Sequence, residues 1–93
     1  MAYYVYITTN PAKTVLYIGV TNNLATRLAQ HYENRGQAQT FAGRYFCYNL
    51  LYFEAHQNAM AAISREKELK GWTRTKKDAL IDTLNPQREF LVP

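Results

Sequence analysis

The stretch "VLYIGVTNNLATRLAQHY", residues 15–32, changes its period part-way along. Residues 15–20 alternate and are rich in β-formers, the pattern of a strand. Beyond the two asparagines, Leu24 and Leu28 repeat at i,i+4, interleaved with a second i,i+4 pair, Arg27 and His31. A strand therefore hands over to a helix here. The helix is predicted over 23–35, with Asn22 or Asn23 as N-cap and Gly36 as its stop. The leucine pair reads as core. The Arg27/His31 pair borders that stripe and reads either as solvated surface or as half of a site.

Upstream, "YYVYIT" (3–8) alternates in the same way, and the link "TNPAKT" (9–14) carries an Asn-Pro pair that suits a hairpin loop. In register, Val5 and Ile7 share a face with Leu16, Ile18 and Val20, and Tyr4 and Tyr6 share the other with Tyr17 and Gly19. Downstream, "QAQTFAGRY" (37–45) reads as a loop. "FCYNLLYFE" (46–54) reads as a third strand, apolar on both sides and so covered on both. His56 is expected to start the next helix, which runs over "NAMAAISREKELKG" (58–71) to Gly71. Thr73 caps a last helix to about Leu84, stopped by Asn85-Pro86. The order ββαβαα closes most simply as an α+β fold, a small three-stranded antiparallel sheet flanked by helices.

Composition narrows the classes. A chain of 93 residues, 47% hydrophobic and 14% aromatic, is expected to form one globular domain over 1–93 and not a disordered tail. Its net charge of +4 leans towards an anionic partner such as nucleic acid, although spare surface lysines give the same number. One cysteine, Cys47, excludes an internal disulfide framework and fits a reducing compartment. No apolar run reaches membrane-spanning length, and "MAYYVYITTN" has neither a basic start nor a long apolar core, so a cytoplasmic location is expected. One cysteine and two histidines cannot build a structural zinc site, and no glycine-rich phosphate loop is present.

Several side chains stand out. At 100° per residue Glu66 falls among Ala59, Ala62 and Ile63 on the apolar stripe of its helix, where a lone carboxylate is costly unless paired or bound to a metal. An ion pair with Lys70 at i+4 accounts for it equally well. The Arg27/His31 border suits a phosphate clamp, because a guanidinium grips phosphate oxygens with two bonds. The alternative there is a snorkelling arginine and a solvated histidine. Tyr6 and Tyr17 matter because they share a face with Gly19, whose missing side chain leaves room for something to approach. The cluster "SREKELKGWTRTKK" holds six of the eleven basic side chains, Arg65, Lys67, Lys70, Arg74, Lys76 and Lys77, around Trp72. It reads as a nucleic-acid footprint or as a charged helix pair anchored by a core tryptophan.

Taken together these residues resemble the GIY-YIG nuclease family, in its small single-domain, UPF0213-like branch similar to the nuclease domain of the excinuclease C subunit. The matching motifs are "YVY" at 4–6, "YIG" at 17–19, Arg27 with His31, Glu66 within "REKELKGW", and Asn85-Pro86, in order along nearly the whole chain. One position departs from the pattern: Tyr4 stands where the family name has glycine. The resemblance implies hydrolysis of a nucleic-acid phosphodiester, DNA before RNA and single-stranded or branched DNA before plain duplex, with one Mg²⁺ or Mn²⁺. It implies Glu66 as the metal ligand, Arg27 on the scissile phosphate, and Tyr6 as general base, with Tyr17 and His31 positioning or relaying protons. Asn85 would bring a polar side chain to the same site. Gly19, Arg44, Lys70, Arg74, Lys76 and Lys77 would meet the nucleic acid. With no appended recognition domain in view, specificity is expected to come from loops or from a protein partner. The rival reading is a non-catalytic nucleic-acid-binding or protein-interaction module on the same fold.

Overall fold

In the computed structural model, which describes residues 2–93, the first strand is the middle one. β1 (Tyr3–Thr9) pairs antiparallel with β2 (Leu16–Thr21) on one side and β3 (Asn49–His56) on the other. The register Val5↔Val20, Ile7↔Ile18 and Thr9↔Leu16 puts the expected residues on one face, and Tyr6↔Gly19 puts those two on the other. The connecting loop is held by Asn10, whose Oδ1 accepts from the amides of Thr14 at 2.8 Å and Val15 at 3.0 Å.

Three helices follow the period of their apolar residues and begin at side-chain caps. α1 (Leu24–Glu33) starts at Asn23, which accepts from the Thr26 amide. α3 (Ala59–Lys70) starts at Asn58 and α4 (Arg74–Leu84) at Thr73. The order ββαβαα holds, with one addition: α2 (Phe41–Arg44), a four-residue helix inside the expected loop. Thr40 caps it, and Gly43 packs so closely on the Asn34 and Gln37 carbonyls that a Cβ there would lie 2.7 Å from each. A single turn is too short to show a period, so the sequence reads there as a loop.

The third strand starts three residues later than expected and runs to His56, which ends the strand and does not begin a helix. Phe46 takes a φ of 60°, and the Cys47 amide bonds back to the Ala42 carbonyl; both keep the chain turned until Asn49. A register shift opposite Ile7/Thr8 lets Leu51 and Tyr52 enter the same core. That core, with Val5, Ile7, Ile18, Ala62, Leu69 and Ile81, lies between the sheet and helices α3 and α4. A second cluster on the other face joins Tyr6 and Leu50 to Leu24 and Leu28 of α1. Residues 50–52 are thus buried from both sides, as an apolar strand requires. Among the described residues no helix is long and apolar enough to cross a membrane.

Candidate active site

Tyr6 is the centre. It sits on the middle strand, 1% exposed, and its ring crosses its neighbour in the sheet at Gly19. A Cβ at Gly19 would collide with the Tyr6 hydroxyl and lie 2.5 Å from Cζ. The room above Gly19 is therefore filled by Tyr6 itself. This corrects the expectation that Gly19, which is buried, meets nucleic acid: its missing side chain admits a ring from the same sheet. The tyrosine is thereby directed towards β2, an edge strand of the sheet.

The helical pair from α1 meets it there. His31 is buried, 6% exposed, and its Nε2 lies 2.8 Å from the Tyr6 hydroxyl. Arg27 donates from Nε to the same oxygen at 3.3 Å and from Nη1 to Gln30 at 3.1 Å. Neither is idle surface. Tyr17 closes the group, its ring edge-on to the imidazole with centroids 5.4 Å apart. Burial pushes the Tyr6 hydroxyl up to about 12, against the hydrogen bond from Arg27. Burial, then the Arg27 charge, pushes His31 down to about 4. Both are neutral near pH 7.

Glu66 comes from α3, which packs on the face of the sheet opposite α1. Its carboxylate is near enough for its charge to act, as a minor influence, on Tyr6. Within α3 the buried positions are Ala62 and Leu69, and Glu66 lies between them. Ile63 is not part of that stripe, being 44% exposed. Glu66 is four-fifths covered and pairs with Lys70 at 3.3 Å, so the ion pair foreseen as the alternative is present. Among the described residues no group of three His, Cys, Asp or Glu side chains could hold a metal. One hard carboxylate whose charge reaches Tyr6 is nevertheless the type of oxygen donor that Mg²⁺ or Mn²⁺ accept, since these ions take most of their ligands from water and substrate.

Other expected site residues are placed elsewhere. Asn85 is buried and occupied: its amide nitrogen donates to the carbonyls of Leu51 at 3.0 Å and Glu89 at 2.7 Å, and its oxygen accepts from the Glu89 amide. It locks the chain after α4 onto β3 and brings no polar group to Tyr6. Arg74 is tied to the β1–β2 loop through the Thr14 and Lys13 carbonyls and to Asp78, so its guanidinium is committed to the fold. Lys76 lies over Trp72, as does Arg65, which also pairs with Glu54 and Glu68. Here the charged helix pair around a tryptophan is the better description. Lys70 and Lys77 differ: with Tyr17 and Phe41 they line a groove of about 310 Å³. Arg44 is exposed on α2. Cys47 is fully buried, and burial pushes its thiol up to about 11, which removes it as a nucleophile.

The sequence reading missed Phe41, Thr40 and Ala42, which line a smaller pocket with Tyr17, Arg27 and His31. The available signal was three aromatics in 41–46 beside a glycine, inside a stretch read as loop.

A family model described as the GIY-YIG catalytic domain matches residues 2–79. The chain belongs to the GIY-YIG family. Its curated relatives are proteins of the UPF0213 group. One from Bacillus pumilus is 36% identical over 74 residues, 80% of this chain and 74% of that protein. One from Haloquadratum walsbyi is 34% identical over 80 residues, 86% of each chain. The solution NMR structure of a UPF0213 protein from Bacillus halodurans matches with a TM-score of 0.58 and 24% identity, over 94% of this chain and 89% of that one. This likeness is one of fold. Membership of the GIY-YIG family, a nuclease family, also accounts for the order of the motifs along these strands and helices.

Proposed function

We propose that this chain is a metal-dependent endonuclease that hydrolyses phosphodiester bonds of nucleic acid, with DNA as substrate and single-stranded or branched DNA preferred to plain duplex. The observation that carries the reading is the Tyr6 hydroxyl held between His31 and Arg27. Arginine only donates, so Arg27 occupies a lone pair of that oxygen. The Tyr6 proton then points at His31 Nε2, and the neutral imidazole carries its hydrogen on Nδ1, an assignment made from the network. A tyrosine raised to about 12 is a poor base on its own. Positive charge at Arg27 and at a bound divalent metal would lower that value, so that Tyr6 loses its proton to solvent and the phenolate takes one from the attacking water. His31 Nε2, held down to about 4, accepts the hydrogen bond of the Tyr6 hydroxyl and orients it.

Arg27 holds the scissile phosphate and the charge developing on it. Tyr17 holds the imidazole at its ring edge. Glu66 would hold the single Mg²⁺ or Mn²⁺, with water and phosphate oxygens completing the shell. Held there, such an ion would supply Lewis-acid stabilisation of the charge on the leaving oxygen. Lys70, Lys77 and Arg44 meet the phosphate backbone, so binding weakens as salt rises. One observation favours the second reading, a non-catalytic module: the Glu66–Lys70 ion pair satisfies the carboxylate without a metal. A nicking assay on labelled single-stranded, branched and duplex DNA, with Mg²⁺ or Mn²⁺ and with chelator, separates the two. The nuclease reading expects metal-dependent cutting that Arg27→Ala abolishes in a folded protein. Cutting undiminished by chelator, or by Arg27→Ala, contradicts it.

A further inference from the structure

Four large aromatic side chains with 42% or more of their surface in water come from one short stretch: Tyr32, Phe41, Tyr45 and Phe46. Two of them continue from Tyr17. Phe41 stacks on Tyr17 with centroids 6.2 Å apart and planes 25° from parallel, and Tyr45 follows at 4.8 Å from Phe41. The rings form a ladder that starts at Tyr17, beside His31, and leads outward over α2. The fold does not require it. The buried residues of α2 are Ala42 and Gly43, and Phe41 leaves 51% of its surface in water. An exposed aromatic group of this kind marks a contact surface. Its surroundings are cationic: Lys70 and Lys77 line the groove that Tyr17 and Phe41 share, and Arg44 sits on the same short helix.

We propose that Phe41 and Tyr45 form a stacking platform for an unpaired nucleobase next to the phosphate gripped by Arg27, which makes them determinants of a single-stranded substrate. The proposal rests on the nuclease reading of the neighbouring site. A flat base offers a π-face to a flat ring whatever its identity, and lysines beside the ring neutralise the phosphates that flank it. Bases inside a duplex are already stacked on each other and cannot reach these rings. The platform therefore discriminates by strandedness and not by sequence. A protein partner fits less well, because the cations continue from the aromatic group into the Arg27 site, as a polyanion would need.

The test reads binding in chelator, so that no cleavage is required. Fluorescence anisotropy compares three labelled probes: a single-stranded DNA, a strand of the same length with abasic residues throughout, and a hairpin duplex. Wild-type protein should bind the base-bearing strand tighter than the abasic one by about 5- to 150-fold, the worth of one stacked base. Phe41→Leu/Tyr45→Leu should close that gap while leaving affinity for the abasic strand unchanged. Equal binding of the two strands by the wild type, duplex binding as tight as single-strand binding, or a gap that survives in the double variant overturns the platform. The wild-type comparison needs no mutant to fold. Base-dependent binding without any cutting in metal contradicts the nuclease reading and keeps the platform. Cutting without base-dependent binding contradicts the platform alone.

Discussion

Acidification should destabilise this protein through one buried imidazole. His31 is held neutral by burial and by Arg27, at about 4 against an ordinary 6.5. The sign follows from which state binds the proton. Between those two values the unfolded chain takes up a proton that the folded chain refuses, so stability is complete above pH 6.5 and is lost as pH falls towards 4. At 1.36 kcal/mol per pH unit the whole difference is about 3 kcal/mol, of which about 2 kcal/mol is gone between pH 7 and pH 4.5. That is a large share of the 5–15 kcal/mol typical of a domain. Urea unfolding followed by circular dichroism reads it directly. With a slope of roughly 1–3 kcal/mol per molar for a small domain, the midpoint should fall by about 1–2 M over that range. His31→Gln removes the titrating group, and its stability should be nearly flat after the contribution shared by both proteins is subtracted. His56, present in both, cancels. Parallel stability curves for wild type and variant from pH 7 to 4.5 would refute the reasoning.

Gly19→Ala should push Tyr6 out of place, because the new methyl group collides with its hydroxyl and ring and the ring is otherwise enclosed; a loss of about 1–3 kcal/mol by thermal melting and a loss of cutting are expected, and an active, equally stable variant contradicts this. Tyr6→Phe removes only the hydroxyl and leaves His31 Nε2 without its donor, so cutting should drop by roughly 10²–10⁴ with about 1 kcal/mol of stability. A larger kinetic loss in Tyr17→Phe would reverse the two tyrosines. Asn85→Ala should cost about 2–3 kcal/mol, because the buried Leu51 carbonyl and the Glu89 backbone lose their partners, while the folded fraction keeps its specific activity. Loss of cutting at an unchanged melting temperature would return Asn85 to the site.

Where the sequence was legible, a period was long enough to read. The alternation of residues 3–8 and 15–20 gave both faces of the hairpin, and the caps read at Asn22 or Asn23 and at Thr73 gave two helix starts, while the cap at Asn58 is seen only in the structure. It failed where a local backbone choice overrode composition. The apolar run 46–54 does not say that Phe46 turns into a left-handed conformation, nor that the strand continues past Glu54 through Ala55 to His56. The α1 pair was readable as a border position, but only the sheet shows that His31 is buried against Tyr6. Gly19 was marked for the right reason, close approach, with the wrong visitor. Asn85 and Arg74 have the side chains of a site, and both are taken by backbone carbonyls far along the chain, Leu51 and Thr14. No periodicity carries that information.

The most direct test of the account is Glu66→Gln, assayed for cutting of single-stranded DNA in Mg²⁺ or Mn²⁺ and for melting with and without metal. The metal-ligand role predicts that this variant is as stable as the wild type without metal to within a few tenths of a kcal/mol, because the exposed Lys70 partner contributes little. It predicts no cutting, retained DNA binding, and loss of any rise in melting temperature on adding metal. A Glu66→Gln protein that cuts DNA at the wild-type rate would contradict the account.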